Sequence, residues 1–400
     1  MSEMENGRGR LVAALFMLPW LSIAGTAIMT ALQDMSSAFP EVSESGMVLV
    51  ATMPNLFMVI SSALAGFVTG KKLGYKTQIA ISALLMTVSG TLPFFLNSFT
   101  LILVCRAAFG LGFGFFSPVV NALVFRLYDG DARARMMGLT SASMNVSAVI
   151  YTVVGGALCA ISWRYTFLMH LLGLVPLAVV WALLPKLPID EAKPAEAVVA
   201  AKRGARFPPK CVWFLAIVLV LMLFTYPLLL NVTAIITQAQ LGDAATSGLA
   251  LSVSTVASAA AGAVFGFAVK YLKRFMLPIS LAFCAAALII MYFADNMLLI
   301  VLSMALSGVG SAVNMLAILL EVGYYIPKED IGLFSGINTA VSCVGVFLVS
   351  GYTGLLDRIG FSGARRPMAF SGVGIAALTV MTLVYIIVSN RLRAAGDGAK

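Results

Sequence analysis

Charge, histidine and disulfide-forming cysteine are all scarce in this 400-residue chain. Charged residues make up 11% of it against 60% hydrophobic, whereas soluble domains carry about a quarter charged. That much apolar surface exceeds what a protein interior can hold, so a bilayer must act as solvent for part of it. One histidine and five scattered cysteines exclude a disulfide framework and a metal centre of the usual ligands, and no cofactor is expected. Cys105, Cys159, Cys284 and Cys343 lie inside apolar runs and Cys211 at the edge of one, as small packing residues do. No Gly-x-x-x-x-Gly-Lys-Ser/Thr segment is present, which removes ATP drive within the chain. No carboxylate falls mid-run, so an intramembrane enzyme has neither a catalytic pair nor a ligand set.

What is present is a series of twelve apolar runs, each long enough to cross a hydrocarbon core of about 30 Å. They cover 11–33, 46–70, 77–96, 99–125, 137–161, 165–184, 212–237, 247–269, 275–294, 297–320, 331–356 and 367–389. The net charge of +9 is distributed by side. Of the 26 Lys and Arg, only Arg164, Arg358, Arg365 and Arg366 fall in odd-numbered loops, and only Arg106 falls inside a run. The positive-inside rule therefore predicts cytoplasmic termini. The basic excess reports topology, and no nucleic-acid partner is expected.

The polar stretch 185–211 separates six runs from six. It divides an N-terminal bundle (1–184) from a C-terminal bundle (212–400), as a cytoplasmic linker would. The halves echo each other in order: Ser45-Gly46 with Ser247-Gly248, Gly66-Phe67 with Gly266-Phe267, Gly110 and Gly112 with Gly308 and Gly310, Gly138-Leu139 with Gly332-Leu333. Chance pairing of common small residues competes with duplication here. Duplication predicts an all-α membrane protein of twelve transmembrane helices in two pseudo-symmetric six-helix bundles, with a site between them.

Several segments resemble the major facilitator superfamily. The fourth run reads Arg106-Ala-Ala-Phe-Gly110-Leu-Gly112-Phe-Gly114, and the fifth ends in Gly155-Gly156 before Ser162-Trp163-Arg164-Tyr165-Thr166-Phe167. Between the second and third runs, Gly66-Phe-Val-Thr-Gly70-Lys71-Lys72-Leu-Gly74-Tyr-Lys76 is similar to the family's Gly-x-Leu-Ala-Asp-Arg-x-Gly-Arg-Arg signature. It is one residue longer, and Gly70 replaces the acid. Tyr151-Thr152 stands where proton-exchanging exporters of the family carry Gly-Pro. The resemblance covers the whole chain and implies a secondary transporter of efflux-permease-like layout, working by alternating access as a monomer in the cytoplasmic membrane. It implies a small-molecule substrate and lipid as partners, and makes Gly66, Gly70, Lys71, Lys72, Gly74 and Lys76 a gating loop.

Arg106 is the sharpest single signal, because a guanidinium in the membrane is costly and must face a partner or a wet cavity. It reads either as a cavity cation for an anionic group or as a fork on the carbonyls of a neighbouring helix. Asp34 reads as its proton-exchanging partner or as a solvated helix end. Glu321 reads as a residue that snorkels to the interface, or as a coupling acid. His170 reads as a satisfied buried residue. Thr30, Gln33, Asn55, Asn121, Asn145, Tyr226, Asn231, Asn314 and Asn338 supply a neutral polar set that must face protein or water, as cavity lining or as glue between helices. Export of a small organic compound is the leading expectation. Uptake or exchange of a small organic anion anchored by Arg106 is the alternative, and a transport-dead membrane sensor is the alternative of another class.

Overall fold

The computed structural model describes residues 2–21, 26–68, 73–185, 208–323, 325–327, 331–361 and 363–397. Among them the chain is helical and has no strand, consistent with the need to satisfy every backbone polar group within its own segment in lipid. Ten spans are single helices: Glu44–Val68, Tyr75–Thr91, Phe99–Leu127, Gly130–Ile161, Pro209–Gln238, Ala244–Leu272, Met276–Phe293, Met297–Val322, Ile331–Arg358 and Arg366–Asp397. These are spans two to five and seven to twelve. Several outrun the apolar runs that predicted them. The fifth has 32 residues, about 48 Å at the helical rise, so its ends stand in water.

Spans one and six are interrupted. The first comprises Ser2–Met17, the 3-10 turns Leu18–Leu21 and Thr26–Ala31, and Leu32–Ala38. The sixth comprises Tyr165–Leu168, the 3-10 turn Met169–Gly173 and Leu174–Leu183. Pro19 and Pro176 sit at these breaks. Pro176 offers no N–H to the Leu172 carbonyl, so the turn before it tightens. The first span is tied to the fifth where the Ser143 hydroxyl donates to the Phe16 carbonyl and Trp20 Nε1 donates to Ser143 at 3.0 Å.

Glycine contacts make the internal repeat physical. A Cβ on Gly110 would lie 2.3 Å from the Pro54 carbonyl oxygen of span two, and one on Gly308 would lie 2.1 Å from that of Ser254 in span eight. Two residues on, Gly112 meets Met86 and Ser82 of span three, and Gly310 meets Cys284 and Ser280 of span nine. Equivalent glycines therefore face equivalent neighbours in each half, at distances where only glycine lets two helices approach. The halves meet along two seams, spans five with eight and spans two with eleven. A continuous apolar core runs across them, including Met35, Met47, Phe214, Leu251 and Phe334.

Candidate functional site

Chain order places the loops after spans one, seven and eleven at one end of the bundle, here called distal, and the termini at the other. The two seams are closed distally. A Cβ on Gly156 would lie 2.8 Å from the Ala244 carbonyl oxygen, and one on Gly248 would lie 2.8 Å from that of Thr152. On the other seam a Cβ on Gly354 would lie 3.2 Å from Ser45, whose carbonyl accepts from the Ser350 hydroxyl. Deeper along this seam, Cys343 Sγ approaches Met58 Sδ at 3.9 Å. Toward the terminal end the same helices carry Gly138, Gly262, Gly266 and Gly336, and among the described residues no atom lies within 4 Å of a Cβ built on any of them. Among the described residues, close approach along the two seams is thus confined to one end.

Arg106 lies in the closed end and is buried, 1% exposed. Its Nε donates to the Val50 carbonyl at 2.8 Å, and its guanidinium lies 4.9 Å from the Phe109 ring centroid. Val50 is four residues before Pro54, which has no N–H to return to it. Arg106 therefore fills the gap that Pro54 opens in span two, the structural member of its two sequence readings. Nη1 has no hydrogen-bond partner, and the Tyr226 phenol and His170 ring lie within electrostatic reach. The Asp34–Arg106 pair is not formed. Asp34 is exposed and accepts from the Cys159 thiol at 3.6 Å, because span one turns that face toward span five. His170 packs on Gly90 and Phe109, and its Nδ1–H donates to the Phe167 carbonyl at 2.9 Å.

The neutral polar set does not converge on one place. Gln33 and Asn231 line a cavity between the halves at the distal end, together with Gln238, Glu44 and Asp357. Glu44 and Asp357 escaped the sequence reading because carboxylates at helix ends look solvated. Thr30 is buried on the face where its carbonyl accepts from Cys159. Asn314 is glue: its amide donates to Ser280 of span nine at 3.3 Å, away from the seams. Asn55 and Asn145 donate to carbonyls of their own helices, those of Thr52 and Ser141. Asn121 is exposed, and Asn338 is buried with Oδ1 unpartnered. Of the gating loop, Gly66 lies in the helix of span two, Gly74 caps span three, and the Lys76 ammonium sits 5.3 Å from the Trp181 ring centroid. Gly70, Lys71 and Lys72 lie outside the described residues.

Glu321 corrects its expectation as a residue snorkelling to the interface. It is 1% exposed and grips Arg274 through both oxygens, with Arg274 Nη2 at 2.7 Å from Oε2. Arg274 also donates to Tyr325, whose hydroxyl bonds Tyr385 at 3.1 Å. The network staples spans nine, ten and twelve near the terminal end. Glu321→Gln leaves Arg274 buried without its counter-charge and is expected to destabilise by about 3–5 kcal/mol. The double change Arg274→Met/Glu321→Leu is expected to recover most of that loss. Thermal unfolding of the detergent-solubilised variants checks both.

Two seams closed by glycines at one end, in a duplicated twelve-span bundle, define a membrane carrier of the two-domain type. The Major Facilitator Superfamily profile matches residues 11–350, and the chain belongs to that family. A 108-residue stretch is 32% identical to an uncharacterised MFS-type transporter, EfpA, of Mycobacterium tuberculosis (strain CDC 1551 / Oshkosh). The match covers 26% of this chain and 20% of that one, so it spans about a fifth of the relative's length. Among solved structures the fold is similar to the nucleoside transporter NupG, with a TM-score of 0.76 at 12% identity over 94% of this chain and 99% of that one. It is also similar to a bacterial homologue of the human lysosomal transporter Spinster, in an inward-facing and unoccupied conformation. There the TM-score is 0.71 at 15% identity, over 96% and 95% of the two chains.

Proposed function

We propose that this protein is a secondary transporter that exports a small organic compound across the cytoplasmic membrane, with both termini in the cytoplasm, and that the conformation described is open to the cytoplasm. The observation that carries the reading is the one-ended closure of the seams. Gly156, Gly248 and Gly354 meet backbone or side chain across the halves, while Gly138 and Gly336 on the same helices as Gly156 and Gly354 meet no atom of the described residues. A rigid bundle would pack its seams along their whole length. Two bodies that rock about a central contact alternate the packed end, and this is alternating access. The efflux-permease-like layout of the sequence supports the export direction, and the charge count supports the orientation.

Reconstitution into proteoliposomes carrying a pH-sensitive dye tests the reading with a panel of organic cations, neutral compounds and anions. The expected result is solute-dependent flux, with an imposed proton gradient of about 1.4 kcal/mol raising solute accumulation about tenfold at one proton per solute. Flux indifferent to the gradient would remove coupled export. Cysteine labelling tests orientation against a quiet background, since the native cysteines are all buried. Ser37→Cys is expected to react from outside and Gly138→Cys only from the cytoplasmic side. One observation favours the organic-anion reading, the unpartnered Nη1 of Arg106, and the anionic members of the panel decide it.

A further inference from the structure

A cavity of about 130 Å³ lies between the halves at the distal end. Gln33 comes to it from span one, Glu44 from span two, Asn231 and Gln238 from span seven, and Asp357 from span eleven. Among the described residues none of these five side chains has a hydrogen-bond or ion-pair partner. The five side chains come from both halves and converge on a space that water reaches, since Glu44 and Gln238 are exposed and Gln33, Asn231 and Asp357 half-buried. No Lys, Arg or His lines it. Three arginines stand at its rim: Arg366 donates to the Gly360 carbonyl at 3.0 Å, Arg358 is exposed, and Arg365, next to the lining residue Ala364, is half-buried. The rest of the lining is largely apolar, with Met47, Val48, Leu230 and Ala234.

Volume, charge and lining together select a ligand. A cavity of about 150 Å³ accepts a benzene-sized ring, so this one has room for a single small hydrophobic body. Two carboxylates call for hydrogen-bond donors and positive charge, and three carboxamides can accept from or donate to a ligand as it requires. Arg106, bonded to the Val50 carbonyl on the helix that supplies Met47 and Val48, lies deeper and presents positive charge below the floor. A cation is therefore favoured in the cavity and disfavoured beyond it in this conformation. We propose that the cavity is a distal binding site for a small organic ammonium ion, with Glu44 and Asp357 pairing its charge and Gln33, Asn231 and Gln238 orienting its N–H groups. Calling the site a vestibule on the export path rests on the transport reading, whereas the site itself does not.

The test uses the full-length protein in lipid nanodiscs and three probes of matched size: benzylamine, benzyl alcohol and benzoate, read by saturation-transfer NMR at pH 7. Benzylamine is an aliphatic amine, as lysine is, and is cationic at that pH. It is expected to bind about tenfold more tightly than benzyl alcohol, with benzoate weaker still. Glu44→Gln/Asp357→Asn is expected to weaken benzylamine about tenfold, a change near 1.4 kcal/mol, and to leave benzyl alcohol unmoved. Equal binding of the three probes, or an unaffected double variant, overturns the proposal. Displacement of benzylamine by sodium or calcium at millimolar concentration would make the site one for metal ions and overturn it as well.

A second measurement covers a variant that fails to fold. Ser36→Cys, at the cavity lining, is treated with a cationic and an anionic methanethiosulfonate reagent of similar size. The cationic reagent is expected to react about tenfold faster, reflecting local cation enrichment by the two carboxylates. Equal rates overturn the proposal. Neither measurement needs a gradient or turnover. A protein that binds benzylamine selectively and transports nothing refutes the transport reading alone, and one that transports but does not discriminate the probes refutes the site alone.

Discussion

Arg106→Leu is expected to reduce transport by about 10- to 100-fold while the protein remains folded. The reduction corresponds to losing one hydrogen bond from a charged donor, about 1.5–3 kcal/mol of positioning energy. In the native protein the bond from Nε to the Val50 carbonyl is 2.8 Å long and holds span four against span two at Pro54. Leucine leaves that carbonyl without a donor, at a cost of about 1–3 kcal/mol. It also removes a buried guanidinium whose effective desolvation penalty is several kcal/mol. The second effect is at least as large as the first, so thermal unfolding should shift little. Arg106→Lys keeps the charge but has no planar fork with which to bond Val50 while stacking on Phe109, and it should retain only part of the activity.

The origin of that bond can be isolated. Pro54 has no N–H, which frees the Val50 carbonyl for Arg106. Pro54→Ala supplies an intrahelical donor to the same oxygen, so Arg106→Leu should cost less stability in that background. The double-mutant cycle is expected to show about 1–2 kcal/mol of coupling. Strict additivity would mean that Arg106 is held by its burial and by Phe109 alone, and that the proline gap plays no part.

Twelve crossings and the two-bundle duplication were legible because both rest on features local in sequence. Apolar length announces a span, and Gly110-x-Gly112 repeats as Gly308-x-Gly310 with the same neighbours in space. The interruption of span one was hidden, since its 3-10 turns lie inside an unbroken apolar run. Partners were the least legible. Glu321 binds Arg274, 47 positions away, and nothing in the intervening sequence marks the pair. Arg106 was recognisable as an anomaly, but its acceptor is a backbone carbonyl, which no side-chain pattern encodes. Glu44 and Asp357 look like ordinary helix-end acids until spans two and eleven are brought together at Ser45 and Gly354.

Gly156→Leu is expected to hold the distal end open. A Cβ at position 156 would stand 2.8 Å from the Ala244 carbonyl oxygen and 3.2 Å from the Gly248 Cα. Both obstacles are backbone, so no rotamer change relieves them and the halves must separate. Overpacking of this kind costs about 1–3 kcal/mol, and the cost falls only on the conformation in which this seam is closed. The open-to-closed ratio should therefore rise about 5- to 150-fold. Labelling of Ser36→Cys from the outside is expected to accelerate in Gly156→Leu, and transport is expected to fall, because each cycle must pass through distal closure. Gly138→Leu on the same helix serves as the control. It has no atom of the described residues within 4 Å in this conformation, so it should leave distal labelling unchanged. Should it obstruct closure of the terminal end instead, distal labelling would slow, the opposite sign to Gly156→Leu. Unchanged distal labelling and full transport in Gly156→Leu would show that the seam between spans five and eight is a tolerant contact, and would place the distal gate at Ser45 and Gly354.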